Sequence, residues 1–125
     1  MLSPFISVAL GGAIGATLRY GVGLGVVRLA GTGFPLAIIT VNVIGSFLMG
    51  VFVVFAAQRG LTHLSPFVMT GVLGGFTTFS AFSLETVTLW ERGEVGAALA
   101  YVAISVVVSI AALAFGVWIA RAVFA

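Results

Sequence analysis

Residues 74–82 read GGFTTFSAF, and the stretch lies inside an apolar run of membrane-spanning length. Gly74 and Gly75 weaken a helix, while Thr77, Thr78 and Ser80 can bond locally and compete with the helical ladder. Non-helical backbone at membrane depth survives only when buried in protein or lining a cavity. The stretch therefore predicts a span whose helix is broken near its middle, across Gly74 to Thr77. Such a break frees carbonyls that can bind a cation and exposes amide N–H groups, as in the discontinuous helices of transporters. Beyond it, Phe79, Phe82, Ser83 and Thr86 fall at i, i+3, i+4 and i+7, on one helical face. Ring edges carry partial positive charge, so these phenyl groups can face an anion.

Composition sets the environment. Of 125 residues, 62% are hydrophobic and 6% charged, with a mean hydropathy of +1.33. A soluble domain carries about 25% charged residues, so this chain cannot cover a globule with polar surface. It reads as an integral membrane protein. At roughly 20 apolar residues per crossing, the length holds one domain of four spans joined by short links.

The net charge of +2 comes from five basic and three acidic residues without a basic cluster, which argues against a phosphate-binding surface and a nucleic-acid partner. Cysteine is absent, excluding disulfides and thiolate metal sites. The start of the chain lacks the pattern of a cleaved signal peptide, so the first apolar stretch is expected to remain as a span.

Working outward from the broken span, the four crossings are expected at about 2–27, 35–57, 66–90 and 95–120 within a single domain, 1–125. Gly11 and Gly15, and then Gly21 and Gly25, repeat at four-residue spacing and predict close helix packing. Pro35 and Pro66 can open spans without losing a hydrogen bond. Cytoplasmic loops normally carry the Lys/Arg excess. Here Arg59 and Arg121 fall on one side, and Arg28 and Arg92 on the other. With no bias to orient it, the chain is expected to insert both ways and assemble antiparallel.

Polar groups inside a span face a bundle interior or a water-filled path. Asn42 offers two N–H donors and one acceptor, for an interhelical bond or for a permeating anion. Tyr101, Ser105 and Ser109 recur every four residues; each step advances a helix by about 400°, so the hydroxyls form one slowly drifting stripe. A membrane serine often bonds only its own backbone, yet three aligned hydroxyls suggest a polar track. Arg19 either snorkels or concentrates anions at a pore mouth. Glu85, near Trp90, can cap or pair at the interface, and His63 reads as a surface residue. Without aspartate or cysteine, and with a single loop histidine, no base for a serine nucleophile and no side-chain set for a catalytic metal is evident. The chain reads as a non-enzyme suited to passing a small anion.

GGAIGATLRY at 11–20, TVNVIGSFLMG at 40–50 and GVLGGFTTFSAFSLE at 71–85 closely resemble the CrcB/Fluc fluoride channel family. The third motif is highly specific, and the match runs the length of the chain. The resemblance implies passive fluoride export across a bacterial or archaeal plasma membrane by a dual-topology homodimer of four-helix subunits with two antiparallel pores. It further implies a sodium ion on the two-fold axis, held by backbone carbonyls of Gly74 and Thr77. The family's pore phenylalanines map onto Phe79 and Phe82, flanking Ser80, and its polar lining onto Asn42, Tyr101, Ser105 and Ser109. Arg19 maps to an electropositive vestibule, while Thr78 and Glu85 match family positions without a role derivable from the residues. One departure stands out: Ala81 replaces the usual threonine of TTFSTF.

Two rivals remain at this point. A proton-coupled small multidrug exporter also uses four short spans in dual topology, but needs a membrane carboxylate in the first span, and residues 2–27 contain none. A structural membrane protein would use its hydroxyls only between helices and pass no ions.

Overall fold

The computed structural model describes residues 3–124, so the expected start of the first span at Leu2 lies outside the described residues. Four helical crossings of membrane length and composition follow one another: Pro4–Ala30, Leu36–Arg59, Thr62–Glu91 and Val95–Phe124. No strand occurs among the described residues. The ends carry local signals. Ser3 accepts from the Phe5 N–H at 3.2 Å with Pro4 in the first turn. Gly60, at φ 68° and ψ 30°, lets the Leu61 N–H reach back to Ala56 O at 2.8 Å, the glycine-ended closure that satisfies orphaned carbonyls. Pro35 sits just ahead of the second helix rather than inside its first turn.

The third crossing is composite. A 3₁₀ turn, Thr62–Leu64, leads into a π-helical stretch, Pro66–Leu73, and one further turn, Gly74–Phe76. Residues 66–76 are called the leading arm below. The trailing arm is Phe79–Glu91. Between them Thr77 (φ −92°, ψ 162°) and Thr78 (φ −155°, ψ 125°) are extended. The break thus lies at the two threonines and not across Gly74 to Thr77 as expected. Gly74 is helical, at φ −63° and ψ −38°, because its backbone has no competing side chain. The threonines supply the competition themselves: Thr77 Oγ1 donates to Leu73 O at 3.0 Å, and Thr78 Oγ1 accepts from the Ala81 N–H at 3.1 Å. The wide π turns ahead of the break have no signature in the sequence.

The second span packs most extensively on the fourth, and the first on the leading arm. Small residues permit both contacts. A Cβ on Gly15 would collide with the Val72 carbonyl, and one on Gly50 with that of Leu113; in lipid, such close backbone approach supplies the van der Waals attraction that holds helices together. The expectation of tight packing applies to Gly11 and Gly15 but not to Gly21 and Gly25, which meet nothing within 4 Å. The reason is geometric. Past Arg19 the first span continues beyond the end of the leading arm, so no helix faces the later glycines. Large apolar side chains such as Leu99 and Val107 point outward, as a lipid-facing surface requires.

Candidate functional site

The site grows from the break. In an unbroken helix each N–H donates four residues back, so Thr78 would donate to Gly74, Phe79 to Gly75 and Ala81 to Thr77. Here the Thr78 N–H donates to Asn42 Oδ1 at 2.8 Å, and Asn42 Nδ2 donates to Thr78 O at 3.0 Å. The Ala81 N–H goes to Thr78 Oγ1. Two side chains have therefore removed the helical partners of the Gly74 and Thr77 carbonyls. The Gly75 carbonyl is taken by Arg19 Nε at 3.0 Å. Arg19 is half-buried at the depth of the break, eleven residues before the first helix ends at Ala30. It is not a snorkelling terminus but a cation set on the negative end of the leading arm.

Asn42 accordingly serves as a clamp. The reciprocal pair also fixes its amide orientation, since the flipped amide would oppose donor to donor. One Nδ2–H is committed to Thr78 O, leaving a second donor. Asn42 lies on an open groove of about 370 Å³, which Thr78, Phe79, Phe82, Ser105 and Ser109 also help to line. The second, third and fourth spans thus bring these six expected residues, and Thr77 with them, to one surface. The Thr78 hydroxyl lies 3.2 Å from that of Ser80, which is itself exposed.

Above the groove runs an aromatic ladder. Phe79 and Phe82 have ring centroids 5.4 Å apart, and Phe82 and Tyr101 5.3 Å apart. Phe34, from the end of the first link, meets Tyr101 edge-on at 5.6 Å and 85°. Phe82 is 8% exposed and Phe79 75%, so one ring belongs to the chain's interior and the other stands on its outer face. The stripe on the fourth span resolves into unequal members: Tyr101 and Ser105 are buried, and Ser109 is half-buried. Tyr101 Oη and Ser105 Oγ have no hydrogen-bond partner among the described residues. A buried hydroxyl left unpaired is costly, and two in a row mark a place where a group from outside this chain can complete them.

Other hydroxyls behave differently. Ser83 Oγ donates to Phe79 O at 3.0 Å and Thr86 Oγ1 to Phe82 O at 2.8 Å, so that part of the expected stripe is spent on its own helix. Glu85, half-buried, follows Phe82 by three residues and precedes Leu89 by four, placing it on the face turned to the fourth span. The ion pair recorded among the described residues is Arg92–Glu94 at 3.6 Å, at the third link. Ala81 carries no side-chain hydroxyl, and its backbone N–H completes the Thr78 cap.

Three contributors escaped the sequence reading. Ser46 and Met49 also line the groove, and Ser46 follows Asn42 by one helical turn, a spacing visible in TVNVIGSF. Phe34 could not be found that way, because a loop residue has no periodicity to place it.

Residues 6–117 match the sequence model of a family described as CrcB-like protein, Camphor Resistance (CrcB). A protein of Roseobacter denitrificans, named fluoride-specific ion channel FluC, is 66% identical over 125 residues, covering 98% of this chain and 99% of that protein. One of the same name from Ruegeria sp. is 64% identical over 124 residues, 98% of each chain. Another from Paracoccus denitrificans is 53% identical over the whole of both chains.

Proposed function

The chain belongs to the CrcB-like family, and from that membership and the groove we propose that it is a fluoride-specific ion channel. It is an integral, multi-pass membrane protein and a transporter rather than an enzyme. The observation that carries the reading is the pair of unpartnered buried hydroxyls, Tyr101 Oη and Ser105 Oγ, beside a groove lined by an amide and phenyl rings. Fluoride is small and tightly hydrated, so a path for it must replace water with well-placed donors. Hydroxyls, the spare Asn42 N–H and the edges of Phe79 and Phe82 can do so without a full positive charge that would trap the ion, and conduction requires that balance between entry and release. Flow down the electrochemical gradient lets fluoride leave a cell that has accumulated it. The setting is the plasma membrane of a bacterium, consistent with the bacterial relatives.

The same reading makes the working unit an antiparallel homodimer. Phe79, exposed on the groove's edge, is the kind of side chain that a second copy would cover. The Gly74 and Thr77 carbonyls suit a sodium ion: both have lost their helical donors, and oxygen ligands suit a hard cation. One copy offers two such carbonyls and a two-fold pair offers four. A sodium there would place a fixed positive field beside the anion path. Arg19, with one donor on Gly75 O, keeps other N–H groups for an electropositive vestibule. The test is efflux of fluoride against chloride from liposomes holding purified protein. Fluoride is expected to leave and chloride to stay; equal release of both, or of neither, overturns the channel reading.

A further inference from the structure

At the end of the bundle that holds the second link and the last turn of the fourth span, a second groove runs between helices. It has a volume of about 390 Å³ and is walled by Leu48, Phe52, Phe55, Val68, Leu73 and Phe124 together with Val51. No polar side chain lines it. From Leu48 to Phe55 the groove follows the second span for about 10 Å, at the helical rise per residue. Over its outer end sits a charge: the Arg59 guanidinium lies 5.9 Å from the Phe55 ring centroid and 5.5 Å from that of Phe124. The two rings that close the groove are thus the two that hold the arginine.

The charges of the molecule are unevenly placed. At the opposite end, Arg28 and Arg92 are matched by Glu91 and Glu94, and Arg92 and Glu94 form an ion pair. At the groove's end stand Arg59 and Arg121, and residues 54–68 and 115–124 contain no acidic residue. The third span also starts there, and Val68 in its first turns faces the groove. The positive pole of that arm offsets the negative poles where the second and fourth spans finish. A guanidinium held on aromatic faces keeps its N–H fork free for bidentate binding of phosphate.

We propose that this groove is a binding site for an anionic phospholipid, with an acyl chain against Phe52, Val68 and Leu73 and the headgroup phosphate on Arg59. The apolar trough matches the chain, and the arginine, without an acidic side-chain partner among the described residues, matches the phosphate. Neither feature alone would select a lipid: a bare apolar trough takes any acyl chain, and a bare arginine takes any anion.

The test is native mass spectrometry of the purified full chain after exchange into detergent containing phosphatidylglycerol or phosphatidylcholine with identical acyl chains. Wild type is expected to retain phosphatidylglycerol about fivefold over phosphatidylcholine, the scale of one arginine near an anionic surface. Arg59→Gln should abolish that preference and Arg59→Lys should keep most of it, while Val68→Phe should reduce retention of both lipids by filling the trough. Equal retention of the two lipids by wild type, or an undiminished preference in Arg59→Gln, overturns the proposal. The chain has no cysteine, so a single Val68→Cys can be crosslinked. Efficient disulfide formation between two copies in membranes would mean that a second subunit covers the groove, and would overturn it too. Fluoride flux is not the readout, so failure here is separable from failure of the channel reading.

Discussion

Asn42 carries the most at the scale of a single residue. It pairs with both the N–H and the C=O of Thr78 and so holds the third crossing open at its break. Asn42→Ala leaves two backbone groups unpartnered at membrane depth, at about 1–3 kcal/mol for an unsatisfied buried group. A fall in thermal stability of the purified protein together with loss of fluoride flux is expected; unchanged melting would mean that the break holds without the clamp. Phe82 makes a different prediction. It is buried between Phe79 and Tyr101, and Phe82→Ile removes the ring edge while retaining apolar bulk. Fluoride flux should fall about tenfold, the effect of ~1.4 kcal/mol on one barrier, with the assembled protein still eluting intact. Undiminished flux would remove Phe82 from the ion path. The hydroxyls show why residue type alone is a poor guide to role. Ser83 and Ser105 are both membrane serines, but the first bonds Phe79 O and the second bonds no described residue.

Among the elements, the leading arm is held closely by its neighbour. It touches the first span through glycine, where even a methyl group at Gly15 would strike Val72 O. Gly15→Val should cost about 1–3 kcal/mol through overpacking. Gly21→Ala, facing open space, should stay within about 0.5 kcal/mol of wild type. Differential scanning of the two variants tests the contrast, and equal melting temperatures would show that the arm does not dock as described. The arms also divide the electrostatics of the break. The leading arm ends in carbonyls that have lost their helical donors, of which Arg19 meets that of Gly75, and the trailing arm begins with a Thr78 cap on Ala81. A negative helix pole and a positive one therefore face the same gap, which suits a cation on one side of it and an anion on the other.

For the whole molecule, the placement of the arginines makes a prediction about orientation. Arg59 and Arg121 oppose Arg28 and Arg92, and the even number of spans puts both termini on one side. A reporter fused to the C-terminus should register both sides of the membrane. Adding two arginines beside Gln58 should shift it to the cytoplasmic side by the positive-inside rule, and should halt fluoride export unless an oppositely oriented copy is supplied. A C-terminus found wholly on one side in the unaltered chain would sink dual insertion.

Much of this was legible in the letters. Composition alone demands a membrane, because a chain so poor in charge has no way to cover itself in water. Hydropathy and the Pro and Gly punctuation locate the crossings, and GGFTTFSAF announces a broken helix, since paired glycines and hydroxyls cost a lipid-embedded helix its ladder. The four-residue spacing of Tyr101, Ser105 and Ser109 puts them on one face without any coordinates. What only the tertiary structure decided is which competitor wins at each site. The break moved to Thr77–Thr78 because a side chain thirty-six residues away, Asn42, captures the Thr78 backbone. Gly15 packs and Gly21 does not, because the leading arm ends between their levels. Arg19, expected either to snorkel or to concentrate anions at a pore mouth, became the partner of Gly75 O. Local sequence sets which hydrogen bonds a residue could make; its neighbours in space determine which of them it does make.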